Sequence, residues 1–498
     1  MKEGSTAAMS RVCGWRAPNV EGRVAVVMGG GERAALRDGG AAKLGRMPRE
    51  REVPRFSYAP PRTLAGKLQR GLGTGFLEAL KTPRDVVHPL LMDCIRVDPR
   101  LDRQLDNRDT YYADLAMQVE LPLAPLLEDL IDAGSDESED TYLAVSVLIE
   151  IARRGGEEAD GLLRDYVLWG PHWHSVCWRL AEAANAPDWL NLAPELAARA
   201  ELDREQGMWS HEPFVSWAKY EPRFAVLARK GPKLQRKEHG GTPGAPLKGS
   251  TAALLQHSGG GVTRAIAELS RRRSRADLDL IDEATSSPSA MTRAIAISAQ
   301  FERGNWAHWD LAIDMALRDQ HPPYATSIAN RAILKAPAGV LIPLAARWRS
   351  SSNFRRRHLA WEILEQHAAP NDRPWLERKL KRVSAIDPSD RFLVTTIAEI
   401  VAARFPGSEF PGLARKFDAF TYSFGRHFIA EALAATDPTF ATTRAFTGLW
   451  DCESGVREVA AKHVSLDVPG ARERLGEMAD DELDEDGRVA AAARARLN

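Results

Sequence analysis

Asp451-Cys-Glu-Ser-Gly-Val-Arg-Glu-Val-Ala-Ala-Lys-His-Val464 is the stretch on which the reading of the fold turns. Its apolar residues recur at helical spacing, and it holds the pattern Arg-x-x-Ala at Arg457 and Ala460. The same pattern recurs at Arg293/Ala296, Arg357/Ala360 and Arg488/Ala491, so the four arginines are separated by 64, 100 and 31 residues. Those intervals are close to two, three and one units of about 32 residues. The surroundings are alike as well: Met291-Thr-Arg-Ala-Ile-Ala-Ile, Gly455-Val-Arg-Glu-Val-Ala-Ala and Asp486-Gly-Arg-Val-Ala-Ala-Ala. Small alanines let neighbouring helices approach, and an arginine near the start of a helix is expected to reach an acidic group in the adjoining unit.

Outward from these marks the chain is helical in pattern from about Thr63 onward, with strand signals nearly absent. Tyr142 to Ala152, Ala159 to Trp169, His172 to Ala184 and Trp189 to Ala200 each carry one apolar stripe and a charged opposite side. In the second half, helices are expected to begin near Ala276, Ala290, Trp306, Tyr324, Gly339, Phe354, Pro374 and Asp390. Alternate ones start about 30 to 36 residues apart, which is the mark of stacked two-helix units. With its Asp, Val-Arg and Ala-Ala residues, Asp451 to Val464, and likewise Asp480 to Leu497, resembles the second helix of a HEAT repeat. The resemblance implies an all-α, armadillo-type fold: a right-handed α-solenoid of HEAT-like antiparallel helix pairs, with a long concave surface that holds another macromolecule.

Composition divides the chain into four stretches. Residues 1–54 are rich in Gly and Arg without helical period, and they are expected to be disordered. Within them Val24 to Ala34 contains G-x-G-x-x-A, but no second strand and no later acidic residue completes a dinucleotide site. Residues 55–228 form an N-terminal helical-repeat block and 262–498 a C-terminal one, joined by a flexible basic linker at 229–261.

The balance of 67 Lys plus Arg against 68 Asp plus Glu in 498 residues excludes a protein that is uniformly basic or acidic. Charge is instead separated. Residues 229–275 carry net +9 and residues 340–382 net +6, whereas 128–140 and 473–486 each carry net −7. The four cysteines, Cys13, Cys94, Cys177 and Cys452, lie far apart, and no apolar run reaches the length of a membrane helix. A cytoplasmic location without membrane contact follows as the expectation, and the Ala and Arg bias is that of a GC-rich bacterial genome.

No Walker loop, G-x-S-x-G elbow or H-E-x-x-H motif occurs, so a non-enzymatic scaffold without cofactor or metal is expected. His172, His174 and Cys177 are metal-capable, but with Trp169, Trp173 and Trp178 interleaved they read as an aromatic core. The candidate ligand-binding surface is the second basic patch: Arg347, Arg349, Arg355, Arg356, Arg378, Lys379, Lys381 and Arg382, with Arg357 serving the stack. Another protein is the expected partner, and a nucleic acid bound through its phosphates is the competing one. Asn305-Trp-Ala-His-Trp-Asp-Leu-Ala-Ile-Asp314 is similar to the Trp-Asp helix of the alkylated-base DNA glycosylases, which are themselves built of HEAT-like repeats. That second resemblance implies a cleft lined by Trp306 and a catalytic carboxylate at Asp310.

Overall fold

In a computed structural model, residues 57–101, 108–132, 142–170, 173–174, 176–177, 190–202, 214–230, 247, 249–257, 261–318, 321–387, 390–481 and 487–498 are described. Every regular element among them is a helix, with 26 α-helices and no strand. The dinucleotide-like glycines and most of the expected linker lie outside the described residues. Within the linker, however, Thr251–Leu255 is a helix whose Leu254 and Leu255 belong to the C-terminal core.

The N-terminal helices are α1 (Leu64–Gln69), α2 (Gly73–Ala79), α3 (Arg84–Val97), α4 (Arg108–Val119), α5 (Ala124–Asp132), α6 (Tyr142–Arg153), α7 (Glu157–Trp169), α8 (Ala193–Leu202), α9 (Phe214–Trp217) and α10 (Pro222–Lys230). Then follow α11 (Thr251–Leu255), α12 (Val262–Arg271), α13 (Arg275–Ala284), α14 (Ala290–Phe301), α15 (Trp309–Leu317), α16 (Pro323–Ile333), α17 (Ala338–Trp348) and α18 (Phe354–His367). The last are α19 (Arg373–Arg382), α20 (Arg391–Arg404), α21 (Pro411–Ala419), α22 (Ser423–Thr436), α23 (Arg444–Gly448), α24 (Ser454–His463), α25 (Ala471–Ala479) and α26 (Arg488–Leu497).

Local chemistry starts these helices where the sequence places polar caps. Ser274, Ser289 and Asn353 each accept a hydrogen bond from the backbone N–H three residues on, which satisfies an otherwise orphaned donor of α13, α14 and α18. Proline occupies the first turn of α16 and α21, where its fixed φ suits the helix and its missing N–H costs nothing.

Even-numbered helices from α14 to α26 meet like end to like end. Lys335, just past α16, pairs with Glu302, just past α14. Arg355 in the first turn of α18 donates to Thr326 Oγ1 in the first turn of α16 at 3.4 Å. Arg404 Nε, closing α20, donates to Ala368 O after α18 at 3.2 Å, and Arg496 Nε in α26 donates to Val464 O after α24 at 2.9 Å. These last two pairs are separated by 36 and 32 residues. Gly407 N donates to Ala435 O at 2.7 Å, linking the ends of α20 and α22. Its φ of +74° is a left-handed conformation that glycine adopts without a Cβ penalty. These helices therefore run parallel; successive ones pack side by side except α16 and α18, which the Arg355–Thr326 bond links, and α15, α17, α21, α23 and α25 each pack on the even-numbered helix that follows.

The Arg-x-x-Ala marks share one geometry, and it differs from the expected one. Arg293 Nη1 donates to Ser287 O at 2.5 Å and Pro288 O at 3.0 Å. Arg357 Nη1 reaches Ser351 O at 2.8 Å and Ser352 O at 2.7 Å, and Arg457 Nη1 reaches Asp451 O and Cys452 O at 2.8 Å each. In all three the guanidinium curls back on the turn that precedes its own helix. Two carbonyls that close the turn lie nearer than any neighbouring carboxylate, and a planar guanidinium can serve both. Ala296, Ala360 and Ala460 are buried, as close helix approach requires. Arg488 lies 3.8 Å from Glu458, most of the turn before it is outside the described residues, and Ala491 is exposed.

Pro54–Asn498 is one compact unit with two apolar cores. One runs from Leu68 to Phe224, and the other from Leu254 to Ala493. Cys452 belongs to the first core although it lies among the C-terminal helices. The reason is a buried junction. Arg70, Arg108 and Arg426 are fully enclosed, together with Asp451 and Cys452. Arg426 Nη2 donates to Asp451 Oδ1 at 2.6 Å, and Nη1 donates to Arg70 O at 2.8 Å. Arg70 Nε donates to Ala419 O at 3.1 Å, and Cys452 N donates to Gly71 O at 2.9 Å. Burial pushes Arg70 down to about 10. Burial opposes the charge of Arg426 too, but the Asp451 carboxylate beside it holds Arg426 above its ordinary value.

Candidate interaction surface

The basic patch of the sequence divides into arginines bound to the protein and arginines facing water. Arg349 donates to Asp372 Oδ1 at 2.5 Å and lies 4.8 Å from the centre of the Trp375 ring. Arg355 is half-buried against Thr326, and Arg357 closes its own turn. Arg347 and Arg356 are exposed, with guanidinium carbons 6.0 and 5.9 Å from the centre of the buried Trp348 ring, so two cations share one indole. Arg378, Lys379, Lys381 and Arg382 occupy the last two turns of α19, where the helix dipole favours cations, while Leu376 and Leu380 supply the buried side.

The arginines nearer the linker are occupied locally. Arg272 and Arg275 pair with Glu268 and Asp279 at 3.2 and 3.0 Å, one helical turn away. In the C-terminal acidic stretch Arg474 likewise lies 2.9 Å from Glu477.

The structure brings to the patch three aromatics that the sequence reading did not single out. Tyr324, Phe354 and Phe392 are 42, 61 and 48% exposed, and each opens one of the parallel helices α16, α18 and α20. Phe354 stacks on His358 with ring centres 6.0 Å apart, and Arg391 lies 4.8 Å from the centre of Phe392. A signal for the position of Phe392 was present in the sequence, since Phe424 stands one unit, 32 residues, farther on at the same place in the next even-numbered helix.

Seven residues on from His358, Phe392 and Phe424, on the same helical face, stand Glu365, Glu399 and Glu431. Burial raises all three carboxyls, and Glu399, which also faces Glu365 and Glu431, is pushed up to about 7. The even-numbered helices thus carry an aromatic and basic row at their first turns and a carboxylate row two turns on. Such an arrangement can hold a charged, partly apolar surface; it contains no nucleophile paired with a base.

Trp306 and Asp310 are not arranged on one helix. Helix α15 begins at Trp309, and Trp306 sits in the preceding turn with its ring centre 4.5 Å from that of Phe301. Trp309 stacks on the same phenylalanine at 6.1 Å, so both indoles are tied into an aromatic cluster, and Asp310 is exposed in the first turn. His172 lies outside the described residues. Trp173, His174 and Cys177 are buried, with Trp173 6.3 Å from Phe214, and burial pushes the Cys177 thiol up to about 12. Among the described residues no group of three or more His, Cys, Asp or Glu side chains is placed to hold a metal ion. No helix among them is long and apolar enough to cross a membrane.

No family model matches the chain, and searches of curated proteins and of solved structures also return no match.

Proposed function

We propose that the chain is a HEAT-like α-solenoid that acts as a non-enzymatic scaffold, holding another protein on the surface made by its parallel helices, in the cytoplasm. The observation that carries this reading is the repetition of one contact set along the chain. Arg293, Arg357 and Arg457 close equivalent turns, and Arg404 and Arg496 reach a carbonyl of the preceding unit. A unit that buries its apolar face only against its neighbours extends by addition, and the long surface it creates suits binding better than chemistry. The separated basic and acidic rows on the even-numbered helices support a protein partner over a uniform polyanion.

Affinity purification of the full-length chain from its native extract at about 150 mM salt, with nuclease treatment, tests the reading. A protein recovered in stoichiometric amount after nuclease is the expected result. Loss of all bound material on nuclease treatment, or the absence of any stoichiometric partner, would overturn it.

A further inference from the structure

We propose that the first turns of α16, α18 and α20 form a docking edge for an acidic segment of a partner protein that carries aromatic or aliphatic anchors. This deepens the scaffold reading and rests on it. The apolar component is Tyr324, Phe354 and Phe392, three large aromatics at least 42% exposed at the same end of three parallel helices, α16 tied to α18 through Thr326 and Arg355 and α18 to α20 through Ala368 and Arg404. Isolated exposed apolar residues are ordinary on a protein surface, but a row of them beside cations marks an interaction site. The cations are Arg347 and Arg356, exposed and both near the Trp348 ring, and Arg391, half-buried over Phe392.

What covers this edge elsewhere is protein. Farther along it, at α22 and α23, the chain's own N-terminal helices are seated. Arg70 binds Ala419 O, and the turn at Gly71 binds Cys452 N. A Cβ on Gly73 would stand only 1.8 Å from Thr447 O, so the two surfaces touch backbone to backbone. At this covered end Phe420 and Tyr422 are buried, and Phe424, the counterpart of Phe392, is half-buried. The open row at α16 to α20 continues a surface that already binds helices.

Charge selects the class of partner. Cations at the row favour acidic groups, yet Glu365 and Glu399 stand only about 10 to 14 Å farther along the same helices, at 1.5 Å per residue. A nucleic acid carries charge along its whole length and would meet those carboxylates. A protein segment can place its acids at the row alone. Exposed Ile386, in the turn before α20, adds an aliphatic contact that offers nothing for a base to stack on.

Selection of short random peptides displayed on phage against the immobilised full-length chain tests the proposal. The expected consensus combines Asp or Glu with an aromatic or aliphatic anchor. The synthetic peptide should then lose about tenfold or more in affinity (about 1.4 kcal/mol) against Arg347→Glu/Arg356→Glu and against Phe354→Ala/Phe392→Ala. All four positions are exposed, and a thermal melt matching the parent chain confirms that the variants fold. A basic consensus, no enrichment, or equal affinity for parent and both variants overturns the proposal, as does tighter binding of oligo(dT) than of the peptide at about 150 mM salt. If the partner from native extract still binds while this edge proves insensitive, the scaffold reading stands and the edge is misplaced; if neither extract nor library yields a ligand, both fall.

Discussion

Arg426 and Asp451 form an ion pair at 2.6 Å with both side chains sealed from water, and through Arg426 Nη1 the pair also holds the backbone of Arg70. Asp451 Oδ1 accepts Glu453 N at 3.0 Å in addition, at the entrance to α24. One carboxylate thus joins the start of a repeat helix to the seat of the N-terminal helices. Breaking such a pair from one side leaves a buried charge without its counter-ion, which costs about 3 to 5 kcal/mol. Asp451→Ala should lower unfolding stability by that amount in urea titration, while Asp480→Ala, near the end of α25, should change it by less than about 0.5 kcal/mol. Equal effects at the two sites would contradict the junction.

Two glycine substitutions should differ in sign. Gly71 has φ +65°, and a Cβ there would lie 2.4 Å from Cys452 Sγ. Gly71→Ala is therefore strained and overpacked, and should cost about 1 to 3 kcal/mol. Gly476 lies inside α25 with open space around its would-be Cβ, so Gly476→Ala should stabilise the chain by up to about 1 kcal/mol. Melting temperatures of the two variants should fall on opposite sides of the parent.

The arginine marks give a graded series. Arg293→Ala and Arg357→Ala each remove two hydrogen bonds from a charged donor to turn carbonyls, and each should cost about 1 to 2 kcal/mol. Arg271→Ala removes an exposed pair with Glu268 at 3.8 Å and should cost less than about 0.5 kcal/mol. A loss at Arg357 no larger than that at Arg271 would show that closing the turn adds nothing to stability.

This series also marks what was legible in the sequence. The helical character was, because apolar residues at helical spacing must share one packed face, and Ala296, Ala360 and Ala460 lie buried on such faces. The arginine's partner was not, because backbone carbonyls have no letter in a sequence and every turn offers them. The basic patch was visible as composition, but composition counts Arg349 and Arg356 alike, although one is bound to Asp372 and the other faces water. Contacts such as Arg70 to Ala419 join residues 349 positions apart, and no local pattern announces them. Trp306 and Asp310 failed as a helical pair for a simple reason: the helix starts three residues after Trp306.

The carboxylate row makes stability depend on pH. Burial, then the neighbouring Glu365 and Glu431, raise Glu399 from 4.5 to about 7, so folding opposes its ionised form. Its unfavourable contribution is absent below pH 4.5 and grows as pH rises toward about 7, where it becomes complete. Glu399→Gln should therefore stabilise the chain at about pH 8, by about 1 kcal/mol after allowance for solvent screening, and have little effect at about pH 4. A gain of the same size at both pH values would show that it comes from packing and not from charge.

Hydrogen exchange on the full-length chain, with and without the protein partner recovered on it, tests the central claim most directly. Partner binding should slow exchange in the first turns of α16, α18 and α20. The corresponding turns of α22 and α24, already covered by the N-terminal helices, should be protected in the free chain and unchanged on binding. Protection confined to the carboxylate row or to the odd-numbered helices, with Phe354 and Phe392 exchanging as before, would contradict it.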